Sequence, residues 1–192
     1  MNDRQLLRDL RALNGVYAPE RILQGVLHQV GLNDEYASLE TPLGPVFVAW
    51  NRLGVSAVMK TDTAQEFEQR FSERFHRTPW LALELPPDLG TRFDLRSVTE
   101  FERAVLLKAR EIPRGEVRTY AWIAAQIGHP AAVRAVGSAL RKNPVPLLIP
   151  CHRVVRSDGY IGQYALGGSA NKLTILAAEG VRTEALKLAV NG

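Results

Sequence analysis

The chain has 192 residues and a mass of 21.3 kDa, room for one domain or two small ones. Hydrophobic residues at 46% and charged residues at 23% exclude wholesale disorder. No apolar run approaches the ~18 residues of a membrane span, and a lone cysteine, Cys151, excludes an internal disulfide and any zinc site built on two or four cysteines. Residues 1–99 carry 11 basic and 13 acidic side chains, residues 100–192 carry 13 and 7, so the net charge of +4 comes from the back half. That half suits either a polyanionic partner or a plain solvated basic surface.

The N-terminus, Met1-Asn2-Asp3-Arg4, leads into Leu/Arg alternation without a secretory-signal pattern, so a reducing cytoplasm is the expected compartment. Leu6, Leu7, Leu10 and Leu13 fall at helical spacing, as do Ile22, Leu23, Val26, Leu27 and Val30 between Pro19 and Gly31. Two amphipathic helices are therefore predicted within residues 1–35, an N-terminal extension. Residues 36–50 hold two short strands around Pro42-Leu43-Gly44-Pro45, and a third runs from Val55 to Met59 after the turn Asn51-Arg52-Leu53-Gly54. Thr63 with Glu66 has capping-box spacing, and Phe67, Phe71 and Phe75 behind it form a core stripe. Residues 78–96 have no clear period and read as an interdomain connection with little local structure.

The back half opens on Ser97 with Glu100, a second capping-box pattern, followed by one helix face of Phe101, Val105, Leu106 and Ala109. Pro113 and Arg114-Gly115 end that helix. A second helix spans about 120–127, stopped by Gly128, and a third starts at Pro130, placed as a first-turn proline, and runs to about Lys142. The pair resembles a helix-turn-helix. On the third helix Val133, Val136 and Leu140 can face the core. Arg134, Ser138 and Arg141 share another face, and Ala131, Ala132, Ala135, Gly137 and Ala139 keep it smooth. Gly137 costs about 1 kcal/mol against alanine, which close approach to a nucleic-acid groove or tight helix–helix packing would each offset.

Residues 143–155 read Asn-Pro-Val-Pro-Leu-Leu-Ile-Pro-Cys-His-Arg-Val-Val. Pro144, Pro146 and Pro150 fix φ and remove donors, so this stretch is expected to be stiff and largely extended. A lone cysteine is usually an inert buried hydrophobe, but Cys151 adjoins His152 and Arg153, which favour thiolate. On an extended chain neighbouring side chains point apart, so His152 would act on Cys151 through a bend or a water. Ser157-Asp158-Gly159 is a turn, and 162–168 is a loop with three glycines around Tyr164, shaped to wrap a flat ligand or simply to cross the surface. Ser169 is the expected cap of a last helix that ends at Glu179-Gly180. A carboxylate in a last turn opposes the helix dipole, which points to a dedicated cationic or donor partner, with His152 the candidate.

Pro150-Cys151-His152-Arg153-Val154-Val155 resembles the active-site signature of the O6-alkylguanine-DNA alkyltransferases, also called methylated-DNA–protein-cysteine methyltransferases. The resemblance extends upstream through Arg134-Ala135-Val136-Gly137, Asn143-Pro144 and Gly115-Glu116-Val117-Arg118-Thr119-Tyr120, and downstream to Lys172 and Glu179-Gly180. It covers about residues 97–180 strongly; residues 36–77 fit the family's less distinctive N-terminal domain. It implies an α+β chain in four parts. After the extension, residues 36–96 would form a small α/β domain with a short antiparallel, ribonuclease H-like sheet. Residues 97–180 would form an all-helical helix-turn-helix, winged-helix-like domain, with 181–192 a tail.

The resemblance also implies roles. Cys151 would accept the alkyl group, His152 would take its proton through a water, and Glu179 would orient His152. Tyr120 would donate to the departing guanine and Asn143 would brace the loop before Cys151. Arg134 would enter the duplex and fill the gap left by a flipped nucleotide, while Ala132, Ala135, Gly137, Ser138, Arg141 and Tyr120 would meet DNA in the minor groove. Pro146, Val154, Gly162, Tyr164, Leu166 and Gly167 would line the base pocket. The implied substrate is double-stranded DNA carrying O6-alkylguanine, with O4-alkylthymine a second candidate, repaired once per molecule by a monomer with no cofactor and no metal. Between Tyr164 and Lys172 the chain carries one residue more than the family's usual spacing, and Ala165-Leu166 stand where aromatic or serine contacts are expected. Three other readings use parts of the same pattern: an alkyltransferase-like lesion-binding protein, which lacks the cysteine, a helix-turn-helix regulator, and a cysteine hydrolase.

Overall fold

A computed structural model describes residues 33–183 and Leu186. The two helices expected before residue 33 and most of the C-terminal tail lie outside the described residues. The first three strands, β1 (Asp34–Leu39), β2 (Val46–Asn51) and β3 (Gly54–Met59), form an antiparallel meander in which Leu39 faces Val46 and Phe47 faces Met59. The side chain of Asn51 accepts from the Leu53 N–H at 2.8 Å, which tightens the second turn. Gly54, at φ 130°, then passes so close to the backbone of Arg92 that a Cβ would collide with it.

Helix α1 (Ala64–Phe75) starts where Thr63 accepts from the Glu66 N–H at 3.1 Å; Glu66 reaches back one residue beyond the cap, to the N–H of Asp62. Phe67 and Phe71 are fully buried, as the stripe predicted: Phe67 stacks on Phe47 and packs against Tyr36 on one face of the sheet, and Phe71 packs against Phe67. His76 closes the helix in the left-handed region.

The chain then differs from expectation. Residues 78–96 are not a plain connection. β4 (Pro79–Leu81) pairs parallel with β1 at the sheet edge, in the order β3-β2-β1-β4, so the sheet is mixed rather than antiparallel. The physical reason is α1, a crossover that carries the chain over the sheet and returns it in the same direction. Asp94 donates its N–H to the Val55 carbonyl at 2.8 Å, and its carboxylate shares a buried polar cluster with Asp34, Asn51 and Arg77. These partners lie 17 to 43 residues apart and carry no local pattern.

Helix α2 (Glu100–Arg110) is capped by Thr99 with Glu102, not by Ser97 with Glu100. Both halves of the capping box form there, at 2.9 and 3.3 Å. Glu102 also receives Lys142 at 2.7 Å, which draws the box two residues onward. Strand β5 (Arg118–Thr119) runs into helix α3 (Tyr120–Gln126), and helix α4 (Val133–Arg141) follows. Cys151–Arg153 form one 3-10 turn, then come β6 (Val154–Val155) and helix α5 (Gly168–Ala178). The β5–β6 parallel pair means that this half is not all-helical.

Helix α4 is shorter than expected. Pro130 lies in the preceding turn and Ala132 is the N-cap, without a side-chain bond. Val133, now in the first turn, flares out of the core and is 36% exposed, while Val136 and Leu140 are buried. The largest apolar cluster runs from Val46, Val48 and Val58 of the sheet to Leu106, Val136 and Ile149. The Val58 N–H also donates to the Pro144 carbonyl at 2.8 Å. The sheet therefore braces the segment that leads to Cys151.

Candidate active site

That segment is folded, not extended. The buried Asn143 donates Nδ2 to the Ile149 carbonyl at 3.0 Å and accepts the Val145 N–H on Oδ1 at 3.0 Å, closing residues 143–149 into a loop. Ile149 donates back to Val145, and Leu147 takes φ 71° at the apex. The three prolines fit because their fixed φ suits a turn as well as an extended chain. Cys151 and Arg153 then donate to Ile149 and Pro150, which turns Cys151 and His152 through one tight 3-10 step.

Cys151 is 5% exposed at the floor of a cavity of about 570 Å3. Tyr120, Val133, Arg134, Gly137, Ser138, Arg141, Gly162 and Tyr164 line it, so most of the residues expected from helix α4 and the glycine loop do converge. Ala132 and Ala135 are not among its walls; Ala135 is exposed on the adjoining helix surface. Pro146, Leu166 and Gly167 instead line a neighbouring hollow on the far side of Tyr164, and Val154 is buried in the core. A Cβ on Gly137 would meet Tyr120 at an ordinary 3.8 Å, so packing within the chain does not require glycine at this position. Gly162 is different: at φ 72° its Cβ would lie 2.8 Å from the Tyr120 hydroxyl. Gly167, in the left-handed region, starts α5, so Ser169 falls inside the first turn rather than at the cap.

Behind the cysteine, His152 is 1% exposed. Its Nε2 lies 3.1 Å from Glu179 Oε1, off the line of an ideal hydrogen bond. Nδ1 is buried with no hydrogen-bond partner among the described residues. Glu179 is the C-cap of α5, and the cation that explains an acid there is Arg153, which sequence reasoning did not assign. Arg153 donates Nε and Nη2 to the two carboxylate oxygens at 2.8 and 2.7 Å and Nη1 to the Ile112 carbonyl at 2.6 Å. Burial alone would raise the Glu179 pKa, but the bonds from Arg153 and His152 outweigh it and hold it at about 2. Lys172 was a second unassigned residue. It is fully buried on α5, donates to the Val154 carbonyl at 2.6 Å and lies 5.8 Å from the Tyr120 ring centre; burial lowers its pKa to about 8.

Burial raises the Cys151 pKa, against a hydrogen bond from Asn143 and the charge of Lys172, so the resting sulfur is a thiol. Burial lowers the His152 pKa more than Glu179 raises it, so the resting imidazole is neutral. With Nε2 turned to a carboxylate, the free lone pair is on Nδ1. A protonated nucleophile beside a neutral base held by an acid is an arrangement for nucleophilic displacement. Among the described residues no group of three His, Cys, Asp or Glu side chains stands close enough to hold a metal ion.

Residues 100–181 match the family model of the 6-O-methylguanine DNA methyltransferase DNA-binding domain. The chain is 38% identical to a methylated-DNA–protein-cysteine methyltransferase of Methanosarcina acetivorans over 141 residues, covering 69% of this chain and 90% of that one. It is 56% identical to the mouse protein of the same name over 84 residues, 43% of this chain and only 40% of the mouse protein's length. A crystal structure of Mycobacterium tuberculosis OGT in complex with DNA superposes with a TM-score of 0.59 at 27% identity, covering 80% of this chain and 94% of the other. The mixed α+β architecture is thus shared with alkyltransferase structures.

Proposed function

This chain belongs to the methylated-DNA–protein-cysteine methyltransferase family, and from that premise we propose that it repairs double-stranded DNA by transferring an alkyl group from guanine O6 irreversibly to Cys151. The observation that carries the proposal is the thiol at the cavity floor, backed by the neutral His152 and the ionised Glu179. His152 takes the Cys151 proton through a water. The sulfur attacks the alkyl carbon as the C–O6 bond breaks, and the bonding pair stays with guanine. Tyr120 gives its proton to the purine ring, so guanine leaves neutral. The thioether product is stable, so each molecule acts once.

An O6-alkyl group lies inside the base stack, and the base must be extruded before it reaches Cys151. Helix α4 lies in the minor groove in this reading. Arg134 fills the vacated stack, and Ala132, Ala135, Gly137, Ser138 and Arg141 follow the groove walls. Tyr164, Gly162 and the neighbouring loop enclose the base, with Pro146, Val154, Leu166 and Gly167 supporting it from behind. Asn143 keeps the loop closed and donates towards the sulfur. Residues 36–96 act as a ribonuclease H-like scaffold, and 97–180, with the β5–β6 pair as its ladder, as a winged-helix-like DNA-binding and catalytic unit. The protein works as a monomer in the cytoplasm, and no described helix is long and apolar enough to cross a membrane.

Intact-mass analysis after incubation with a duplex carrying O6-methylguanine tests the proposal. One methyl group, about 14 Da, is expected per chain, on the peptide that contains Cys151, and Cys151→Ala keeps DNA binding while losing transfer. Continuous turnover, or a methyl group on another residue, is incompatible with it.

A further inference from the structure

The turn 157–159 folds the chain back at the cavity rim. Arg156 donates its N–H to the Tyr160 carbonyl at 3.0 Å, and Gly159 donates back to Arg156 at 3.2 Å with φ 82°. The Asp158 carboxylate accepts Arg156 Nε at 3.0 and 3.1 Å and Nη2 at 2.5 Å, and it also accepts the Tyr160 N–H. The guanidinium is thus held by its own turn, over the Tyr160 ring at 5.8 Å, rather than sweeping through solvent as a free arginine would. Arg156, Asp158, Gly162 and Tyr120 line the same cavity as Cys151. Gly162 gives the Tyr120 hydroxyl its space, because any side chain there would meet it.

Tyr120 carries an unusual burden in the proposed reaction. It must release a proton from a largely buried phenol, and both burial and the neighbouring Cys151 raise its pKa. A cation on the open side of the cavity counters this, and the charge of Arg156 does lower it. Lys172 faces the ring from the buried side, and Arg134, Arg141 and the Asp158 carboxylate line the same cavity as Tyr120.

We propose that Arg156, clamped by Asp158 at the cavity rim, is a positioning residue for the Tyr120 hydroxyl that stabilises the phenolate left when Tyr120 protonates the departing guanine. The inference rests on the alkyl-transfer reading. In the step it assists, the sulfur–carbon bond forms and the C–O6 bond breaks. The O6 electron pair spreads into the purine, a ring nitrogen takes the Tyr120 proton, and the phenolate is reprotonated from water as His152 releases the proton it took from Cys151. Arg156 is exposed in the free protein, so its field there is screened but still reaches Tyr120. A base seated in the cavity excludes water between the two groups and strengthens it.

The test is single-turnover alkyl transfer from free O6-benzylguanine, which presents no phosphate. Arg156→Gln should slow it roughly three- to tenfold, the size of one screened charge near a developing anion. Arg156→Lys should recover most of the rate. In a Tyr120→Phe background Arg156→Gln should add little, because the group it acts on is gone. A second measurement does not depend on activity. With 3-fluorotyrosine incorporated, fluorine NMR should show the Tyr120 signal titrating at higher pH in Arg156→Gln than in the parent. A loss confined to duplex substrate would make Arg156 a phosphate contact and overturn the inference. So would equal slowing in both tyrosine backgrounds, or an unmoved Tyr120 titration. If the unmodified protein transfers no alkyl group from either substrate, the alkyl-transfer reading falls, and this inference falls with it.

Discussion

Glu179→Gln is the most informative single perturbation, because it removes one charge and changes almost no volume. Glu179 accepts two bonds from Arg153 and faces His152 Nε2, with its side chain 13% exposed. Its pKa of about 2 against an ordinary 4.5 corresponds to about 3 kcal/mol of folded-state stabilisation. The sign follows from the depressed pKa: the contribution is complete above pH about 4.5 and disappears as pH falls towards 2. The variant should therefore lose about 3 kcal/mol at neutral pH, several degrees of melting temperature, and show a flatter acid limb than the parent over that window. Its effect on chemistry is separate. Without the carboxylate, His152 is left beside the charges of Arg153 and Lys172, both of which lower its pKa, so the imidazole becomes a weaker and less oriented base. Single-turnover transfer from duplex O6-methylguanine at neutral pH should fall roughly a hundredfold, the scale of general-base catalysis. Part of the rate should return at high pH, where Cys151 ionises without help, while DNA affinity, dominated by phosphate contacts, stays near the parent value. A parent-like rate across the pH range, measured on protein shown to be folded, would falsify the relay.

Three further outcomes test the remaining parts. Arg134→Ala should weaken repair of duplex DNA roughly tenfold or more and leave the reaction with free O6-benzylguanine nearly untouched, because only the duplex requires extrusion; equal losses would make Arg134 a support of the fold. Gly162→Ala forces a strained left-handed backbone and puts a methyl group 2.8 Å from the Tyr120 hydroxyl, so transfer should slow about tenfold or more, and a parent-like rate with either substrate would show that Tyr120 need not hold that position. Asn143→Ala leaves the Val145 N–H and Ile149 carbonyl unpaired in the interior. It should cost about 2–4 kcal/mol in urea unfolding, and a loss below about 1 kcal/mol would mean that the loop closes without that side chain.

Much of the architecture was legible along the chain. The Phe67 and Phe71 stripe, the Thr63 cap, the strand-forming runs on either side of Pro42 and Gly44, and the helix that stops at Gly128 are governed by neighbours within four residues. Periodicity and capping chemistry report on that range. Where a local signal met a distant partner, the partner decided. Thr99 rather than Ser97 caps α2, where Glu102 also meets Lys142, 40 residues on. Prolines at 144, 146 and 150 suggested an extended segment, but Asn143 and the β3 edge close it into a loop.

The sequence by itself determined which atom can act as the nucleophile, because the chain has one thiol in a distinctive motif, and it determined that an acid near the end of α5 needs a donor. It could not reveal that Arg153 is that acid's principal partner. The two lie 26 residues apart, and the same arginine reaches a carbonyl 41 residues before it, a geometry set only when α2, the 3-10 turn and α5 pack together. Nor could it give the resting protonation states. A thiol raised and an imidazole lowered are consequences of burial, and burial belongs to the assembled interior rather than to any residue type.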